Sequence, residues 1–279
     1  QNGFAVSSVK SQLIGNKIKL PFPSVGATEN ILMASVLAKG ETKISNAARE
    51  PEIEDLSKCL IKMGAKIEGH GTKTILVQGV TNLKKAEHEI IADRIVAGTY
   101  IIAALMLNSA LEINNFNTIY LKSLIDILKK MGAKLKVSKN SIKVSKGSKL
   151  KSTSLSTSPY PGFPTDLQAQ LMSLMCISDG KSKIKETIFE NRFMHVPELN
   201  RLGANISVEK DTATIIGNQT FKGAQVMASD LRASISLVLA AMNANGQTTL
   251  NRVYHLDRGY ENIEKTLGSL GAKIKRQKN

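Results

Sequence analysis

Hydrophobic and polar positions repeat along this chain with a period of about 70 residues. The clearest marker is a short motif that begins at Met63 (MGAKI), Met131 (MGAKL), Leu202 (LGANI) and Leu270 (LGAKI), at intervals of 68, 71 and 68 residues. A fixed period of this length is typical of a protein built from copies of one supersecondary unit. The sequence therefore predicts four copies of such a unit.

Each copy predicts the same order of elements. A helix rich in Ala and Gly begins near Ser24, Asp93, Thr165 and Ser229, and a short strand such as ETKISNA follows it. Next come a second, amphipathic helix and two strands in which polar and apolar residues alternate. The glycine of each MGA or LGA motif predicts the left-handed residue that follows the second helix. With a strand ahead of the first helix, the unit is strand–helix–strand–helix–strand–strand.

The two helices of each unit differ in polarity. The first helix is apolar nearly all round, which predicts burial on all sides. The second helix carries more Lys and Glu and is expected to face solvent. We therefore predict an α/β (α+β) fold of the inside-out prism type, with the helices buried and the sheets outside.

The number of units predicts two domains. Four units are an awkward number for one closed assembly, and the last unit stops before its final strands, so a strand must come from elsewhere. We predict that residues 91–279 form a three-unit domain. Residues 1–90 are predicted to be one unit of a second domain whose other units are absent from the sequence.

Composition predicts a protein of the cytoplasm without a metal or cofactor. Hydrophobic residues make up 42% of the chain, enough for a sizeable core, yet no apolar run reaches the ~18 residues of a membrane helix. The start, QNGFAVSSVK, lacks the pattern of a signal peptide. Cys59 and Cys176 lie in apolar helical patterns, which indicates core residues in a reducing compartment. The four histidines (residues 70, 88, 195 and 255) show no ligand spacing.

The net charge of +15 suggests a polyanionic partner, such as nucleic acid, a membrane or phosphorylated metabolites. Nucleic acid is disfavoured because only eight of the 38 basic residues are Arg and only 4% of the chain is aromatic. Surfaces that bind nucleic acid favour Arg and stacking rings. Because the chain uses Arg sparingly, each Arg becomes a candidate for a specific contact.

Several long segments carry a family likeness. They are PSVGATEN, NAAREPEIEDL, PYPGFPTDLQAQ, FENRFMHVPEL, GAQVMASDLRAS and YHLDRGYENIEKTLGSLGAKI. In these segments and their order the chain resembles the enolpyruvyl transferase family, specifically its UDP-N-acetylglucosamine 1-carboxyvinyltransferase branch. The resemblance implies transfer of the enolpyruvyl group of phosphoenolpyruvate to the 3-hydroxyl of UDP-N-acetylglucosamine, the first committed step of peptidoglycan synthesis.

The resemblance covers only the last two-thirds of the family pattern. Family members have six units in two domains, and they carry a Lys–Asn pair near the start and a reactive cysteine after Pro-Gly-Gly. No Lys–Asn pair lies near the start of this sequence, and Pro-Gly-Gly-Cys does not occur in it. We interpret the chain as a fragment of an active enzyme, whose partner is the N-terminal remainder of the same protein. By itself the chain is expected to be inactive.

Asp166, in the segment PGFPTDLQAQL, is the candidate catalytic base. From its position alone, a helix cap is the simpler role, because an aspartate at a helix start accepts hydrogen bonds from unpaired N–H groups. The resemblance implies instead that Asp166 contacts the sugar hydroxyl and takes its proton.

Arg232 and Arg258 are the candidates for binding phosphoenolpyruvate. A guanidinium group holds a carboxylate or phosphate through two parallel hydrogen bonds, and the resemblance assigns both residues to this role. The alternative is a pair of surface salt bridges with the neighbouring Asp230 and Asp257. Three more arginines of the matched segments are expected to be structural or to support the site indirectly: Arg49, Arg94 and Arg192.

The resemblance also implies contacts with the nucleotide sugar. Ser24, Val25 and Gly26 open a helix whose free N–H groups suit a diphosphate; tight packing of a buried helix is the alternative. Ile188 matches a position whose backbone faces the nucleotide, with core packing as the alternative for it and for its neighbour. Four residues are expected to support the site from behind these contacts: Asp230, Phe189, Glu50 and Glu52.

Two other functions remain open at this point. The first is an enolpyruvyl transferase that acts on shikimate 3-phosphate. The second is a truncated, non-catalytic relative that binds a nucleotide sugar.

Overall fold

The structure is a computed structural model that describes residues 12–277. The chain forms two compact units, of which the first ends at Ile91 and the second begins at Ala92. That the first unit is part of a nucleotide-sugar domain and that the second unit is a domain of its own stays a prediction.

The first unit contains one complete repeat. Its elements are β1 (Lys17–Lys19), α1 (Val25–Ser35), β2 (Glu41–Ser45), α2 (Pro51–Lys62), β3 (Lys66–Glu68) and β4 (Thr74–Gln78). The four strands form one sheet in the order β1-β2-β4-β3, in which β1 is parallel to β2 and β4 is antiparallel to both of its neighbours. The six elements follow the predicted order.

The second unit contains three further repeats. The first has α3 (Arg94–Met106), β5 (Leu111–Asn114), α4 (Lys122–Lys130), β6 (Leu135–Val137) and β7 (Ser141–Val144). The next has β8 (Ser154–Ser156), α5 (Gln168–Ile177), β9 (Lys181–Lys185), α6 (Val196–Arg201), β10 (Asn205–Glu209) and β11 (Thr212–Ile216). The last has β12 (Gln225–Met227), α7 (Leu231–Met242), β13 (Thr249–Asn251) and α8 (Ile263–Ser269). Short 3₁₀ turns precede α4, α5 and α8, at Thr118–Leu121, Thr165–Leu167 and Val253–Arg258.

One predicted strand is absent. Residues 79–93 contain no strand, so the strand expected ahead of α3 does not form. The sheet β5-β7-β6 therefore has three strands. The segment instead packs on the first unit: Leu83 lies against that unit's core, and the N–H of Lys84 donates to the carbonyl of Met63 at 2.7 Å. His88 lies 3.0 Å from the carboxylate of Asp55. These contacts hold the segment on the first unit.

The predicted burial of the first helices is confirmed for three of them and wrong for α1. Most residues of α3, α5 and α7 are buried, and α5 packs between the other two. In α1 only Thr28, Leu32 and Ser35 are buried, while Met33 is 47% exposed. A single repeat offers one sheet and one second helix, which cover one face of α1, whereas three repeats enclose their first helices together.

The predicted ends of the second helices are confirmed. The glycines that follow them have φ angles of +103°, +98°, +100° and +98°, at Gly64, Gly132, Gly203 and Gly271. Glycine adopts this left-handed conformation without the steric cost that a Cβ atom imposes. The MGA and LGA motifs therefore mark a recurring backbone turn.

Candidate functional site

Three elements of the second unit bring one carboxylate and two guanidinium groups together. Asp166 lies in the 3₁₀ turn before α5, and Arg232 is the second residue of α7. These residues meet because α5 packs directly against α7. Arg192 comes from the segment between β9 and α6.

The carboxylate of Asp166 uses its two oxygens differently. Its Oδ1 accepts a hydrogen bond from Nη2 of Arg192 at 2.9 Å and another from Nε of Arg232 at 3.0 Å. Its Oδ2 has no hydrogen-bond partner among residues 12–277, and the side chain is 39% exposed. One oxygen is therefore fixed by two cations, and the other is open to a ligand.

The alternative role of Asp166 as a helix cap is wrong. Pro164 occupies the position before the turn, and no side chain there caps it. The recorded bonds to the Asp166 carboxylate come from side chains and not from backbone N–H groups. The Asp166 carboxylate thus faces the two arginines.

Arg232 keeps part of its guanidinium group available. Burial alone would lower the pKa of Arg232, but Asp166 and the more distant Tyr260 and Asp93 raise it, and the net shift is upward. Only Nε contacts Asp166, and neither Nη nitrogen bonds to a residue of the described part of the chain. The group is therefore a permanent cation with two free donors.

Arg192 belongs to this cluster, for which the sequence predicted a structural or indirect role. Its guanidinium lies 5.1 Å from the centre of the Phe189 ring, and its buried Nε has no hydrogen-bond partner within residues 12–277. The Phe189 side chain is 55% exposed, so the alternative of core packing is wrong for it. The scarcity of Arg in a Lys-rich chain marks Arg192 as a candidate, but it does not identify Asp166 as its partner.

Asp230 orients the start of α7. Its Oδ1 accepts hydrogen bonds from the N–H groups of Arg232 at 2.8 Å and Ala233 at 3.0 Å. Burial alone would raise the pKa of Asp230, yet these N–H groups and the charge of Arg192 lower it. The salt bridge considered between the side chains of Asp230 and Arg232 does not form.

Arg258 lies at the end of the turn that packs against α7. The neighbouring Asp257 pairs with Arg276, at 2.6 and 2.9 Å, so the salt bridge considered between Asp257 and Arg258 does not form either. Within the described residues the exposed guanidinium of Arg258 has no partner. Gly259 fits closely against Leu231, since a Cβ atom at Gly259 would lie 2.8 Å from Cδ2 of Leu231. This contact places the Arg258 turn beside the first residues of α7.

A buried polar network holds the backbone of Asp166. Nε2 of Gln170 donates to the carbonyl of Asp166 at 2.9 Å and to Oγ1 of Thr99 at 3.2 Å. Thr99 in turn lies 2.8 Å from the hydroxyl of Tyr260, whose pKa is raised by burial. Thr99, Gln170 and Tyr260 come from three repeats, which is why sequence reasoning missed them.

One of the two backbone polar groups of Ile188, its N–H, is already bonded within the protein. Its N–H donates to Oε1 of the buried Glu186 at 2.9 Å, as does the N–H of Phe189 at 3.2 Å. The carbonyl of Ile188 makes no hydrogen bond within residues 12–277. The carbonyl is therefore the backbone group left for a ligand.

The remaining predicted residues lie in the first unit. Ser24 caps α1, with its Oγ accepting from the N–H of Ala27, and Val25 begins the helix. A Cβ atom at Gly26 would meet nothing within 4 Å, so tight packing does not explain this glycine. The first N–H groups of a helix have no intrahelical partner, which leaves them open to an anion.

Glu50 and Glu52 lie at the start of α2, and their charges act on the carboxylate of Glu29. The pKa of Glu29 is raised by burial and, to a smaller extent, by Glu52 and Glu50. Glu50 itself is buried and accepts a hydrogen bond from the N–H of Arg49. Their role toward a ligand stays a prediction.

Neither cysteine forms a disulfide. Cys176 is fully buried in α5, and burial raises the pKa of its thiol to about 12. Among the residues that the structure describes, no cluster of His, Cys, Asp and Glu could hold a metal ion. In the same part of the chain, no helix has the length and apolar character needed to cross a membrane.

Comparison with known proteins identifies the class. The family model of EPSP synthase (3-phosphoshikimate 1-carboxyvinyltransferase) matches residues 2–267. The chain therefore belongs to the EPSP synthase family of enolpyruvyl transferases.

Within this family the chain is similar to UDP-N-acetylglucosamine 1-carboxyvinyltransferases. It is 52% identical to the enzyme of that name from Pelagibacter ubique over 98% of this chain, and 53% identical to "UDP-N-acetylglucosamine 1-carboxyvinyltransferase 2" of Mesorhizobium japonicum over 99% of it. In each case the chain spans 66% of the length of the relative.

Solved structures share the fold. The enolpyruvyl transferase NikO from Streptomyces tendae superposes with a TM-score of 0.86 at 27% identity, over 95% of this chain and 66% of that one. The EPSP synthase of Acinetobacter baumannii superposes with a TM-score of 0.74 at 18% identity, over 96% and 64% of the two chains. The predicted fold class is confirmed.

Proposed function

We propose that the protein containing this chain transfers the enolpyruvyl group from phosphoenolpyruvate to the 3-hydroxyl of UDP-N-acetylglucosamine, in the cytoplasm. The observation that carries the proposal is the Asp166 carboxylate, whose Oδ1 is held by Arg192 and Arg232 while Oδ2 is open. The two arginines hold the carboxylate in place through Oδ1, which leaves Oδ2 positioned to accept a proton from a bound ligand.

The identity to curated relatives favours the nucleotide sugar over shikimate 3-phosphate as the acceptor. The relatives at 52–53% identity carry the name of the UDP-N-acetylglucosamine enzyme. The likeness to EPSP synthase, at 18% identity, is a likeness of fold. An enzyme is also favoured over a non-catalytic binding protein by the open Oδ2 of Asp166 and by the guanidinium groups of Arg232 and Arg258, which have donors without a partner in the described residues.

Asp166 is the group proposed to receive the proton of the sugar hydroxyl through Oδ2. As that proton leaves, the oxygen attacks C2 of phosphoenolpyruvate, and the methylene carbon C3 takes a proton from a separate general acid of the enzyme. The tetrahedral ketal then loses a proton from C3 and breaks its bond to the phosphate oxygen, which gives the enol ether and inorganic phosphate. A positioned base typically contributes about 10²–10⁴-fold to such a step.

Arg232 and Arg258 are proposed to hold the anionic groups of phosphoenolpyruvate. The two Nη nitrogens of Arg232 have no described partner, and the guanidinium of Arg258 is exposed. Paired N–H donors match the geometry of a carboxylate or phosphate. Arg232 would thus orient Asp166 through Nε and bind the substrate through its Nη edge.

Contacts with UDP-N-acetylglucosamine are proposed for Ser24, Val25 and Gly26 at the start of α1 and for the carbonyl of Ile188. Four residues are proposed to support these contacts without touching the reacting atoms: Asp230, Phe189, Glu50 and Glu52.

The test is phosphate release by the protein as its gene encodes it. We expect release that requires both phosphoenolpyruvate and UDP-N-acetylglucosamine, and none when shikimate 3-phosphate replaces the nucleotide sugar. The 279-residue chain alone is expected to give no turnover, because its sequence has no Lys–Asn pair near the start and no Pro-Gly-Gly-Cys motif. Binding of UDP-N-acetylglucosamine by the gene product without phosphate release would favour the non-catalytic alternative.

A further inference from the structure

Glu186 is a buried carboxylate that receives four hydrogen bonds and pairs with no cation among residues 12–277. Glu186 comes directly after β9 in the sequence, and it is 5% exposed. Oε1 accepts from Oγ1 of Thr157 at 2.8 Å and from the N–H groups of Ile188 at 2.9 Å and Phe189 at 3.2 Å. Oε2 accepts from Oγ1 of Thr165 at 3.0 Å.

These donors come from three separate segments of the site. Thr157 follows β8, Thr165 opens the turn that carries Asp166, and residues 188–189 begin the segment that continues to Arg192. Thr157 is itself tied to the last segment, since it accepts from the N–H of Thr187 at 2.9 Å. The carboxylate of Glu186 is therefore the common acceptor of the parts that hold Asp166, Arg192 and Ile188.

A negative charge at this position has a cost that a neutral residue would avoid. Burying a carboxylate is unfavourable unless hydrogen bonds replace its water. An ionised carboxylate accepts at both oxygens, and here Oε1 accepts three bonds and Oε2 one, whereas an amide offers one oxygen and adds two donors of its own. The charge also strengthens each bond. A purely structural role could be served without this cost.

We propose that Glu186 is a positioning residue, which holds the carbonyl of Ile188 and the turn of Asp166 in one arrangement before substrate binds. Its role in the reaction rests on the proposed function. The bonds to Ile188 and Phe189 set the backbone that faces the nucleotide sugar. The bond to Thr165 sets the turn beside the proposed base. Loss of Glu186 should therefore affect nucleotide-sugar binding and turnover together.

The first measurement needs no substrate. Hydrogen–deuterium exchange of residues 187–192 is compared in the wild-type protein, Glu186→Gln and Glu190→Gln. Glu190 is a matched control, because it is the same residue type in the same segment but its side chain is exposed. We expect the segment to exchange at least tenfold faster in Glu186→Gln and at the wild-type rate in Glu190→Gln.

The second measurement separates binding from turnover. In Glu186→Gln we expect KM for UDP-N-acetylglucosamine to rise and kcat to fall, with kcat/KM lower by about tenfold to a hundredfold, the usual effect of losing hydrogen bonds to a charged group. Thr165→Val removes only the bond to the Asp166 turn. We expect it to lower kcat and leave KM for the nucleotide sugar unchanged, and to add little in the double variant.

The outcomes distinguish this proposal from the proposed function. Wild-type exchange in Glu186→Gln, or unchanged kcat and KM with only a lower melting temperature, would overturn the role of Glu186. If Glu186→Gln fails to fold, unchanged kcat in Thr165→Val overturns it. Absence of turnover in the wild-type protein would overturn the proposed function alone, since the exchange measurement decides what Glu186 holds.

Discussion

The Nε atom of Arg232 lies 3.0 Å from Oδ1 of Asp166, although 66 positions separate the two residues in the sequence. The carboxylate thus meets the edge of the guanidinium group and leaves both Nη nitrogens free of described partners. In this geometry one side chain orients the proposed base and faces the proposed anion at the same time. Arg232 is proposed to have both roles, whereas Arg192 has only the first and Arg258 only the second. Substitutions of these three arginines should therefore affect turnover and substrate binding differently.

Arg232→Lys should weaken phosphoenolpyruvate binding and also lower kcat. Lysine keeps the charge, but it lacks the Nη pair for the anion and the Nε donor for Asp166. Losing one charge-assisted bond costs roughly 1.5–3 kcal/mol, or about tenfold to a hundredfold in affinity. Isothermal titration with each substrate measures this, and UDP-N-acetylglucosamine should bind normally. Equal loss of both affinities would mean that Arg232 holds the unit together instead.

Arg258→Lys should weaken phosphoenolpyruvate binding by a similar factor while leaving kcat at saturating substrate close to normal. The reason is that Arg258 makes no bond to Asp166. Arg201→Lys is the matched control, because Arg201 is also exposed and lies on α6 away from the cluster. If Arg258→Lys binds phosphoenolpyruvate as tightly as Arg201→Lys does, Arg258 is an ordinary surface residue.

Arg192→Lys should lower kcat with little change in phosphoenolpyruvate affinity. Arg192 holds Asp166 through Nη2 while its guanidinium lies over the Phe189 ring, and lysine reproduces neither contact well. Steady-state kinetics at saturating concentrations of both substrates is the measurement. A large rise in KM for phosphoenolpyruvate, with kcat intact, would assign Arg192 to the anion and contradict this division of roles.

Asp166→Asn should reduce turnover by about 10²–10⁴-fold and leave UDP-N-acetylglucosamine binding mostly intact. Asparagine preserves the shape and one acceptor oxygen, so Arg192 and Arg232 keep a partner while the proton acceptor is lost. Asp166→Ala should abolish turnover as well, but it should also destabilise the unit because two partly buried cations lose their carboxylate. Near-normal kcat in Asp166→Asn would remove Asp166 from the chemistry.

Asp166 and Asp230 show where sequence reasoning reaches its limit. Both stand just before an apolar helix, so both fit a helix cap. Asp230 does cap α7, whereas Asp166 lies inside a 3₁₀ turn that begins after Pro164, which rotates its carboxylate toward the arginines. Local pattern could predict the repeats and their glycine turns, because these depend on neighbouring residues. The partner of Asp166 depends on how α5 packs on α7.

The exposure of α1 escaped prediction for the same kind of reason. Its composition resembles that of α3, α5 and α7, and composition alone predicts equal burial. Burial depends on how many neighbouring repeats cover a helix, and that number is a property of the assembled unit. The Thr99–Gln170–Tyr260 network likewise joins residues from three repeats, whose hydroxyl and amide groups carry no local signal.

Cys176 should not react with thiol reagents in the folded protein. Burial raises the pKa of its thiol to about 12, and the side chain is fully enclosed in α5, while the reactive form of cysteine is an accessible thiolate. Titration with a chromogenic disulfide should therefore modify at most Cys59 before unfolding and both cysteines in denaturant. Modification of Cys176 under native conditions would show that α5 opens.

His195 should make the folded protein less stable as the pH falls from about 6.5 to about 4. Burial lowers the pKa of His195 from 6.5 to about 4, partly offset by the nearby Asp230 and reinforced by Arg192. Over this range the unfolded chain binds a proton that the folded chain does not, so the free energy of unfolding rises with pH, by up to ~1.4 kcal/mol per pH unit.

Urea denaturation at several pH values, compared with His195→Phe, isolates this contribution. Phenylalanine has a similar ring and no titrating group, so the difference in unfolding free energy between the wild-type protein and the variant should shrink or reverse toward pH 4 and stay constant above pH 7. Groups that titrate elsewhere in the chain cancel in the difference. A difference that is independent of pH would show that His195 has the same pKa in the folded and the unfolded chain, which contradicts the prediction.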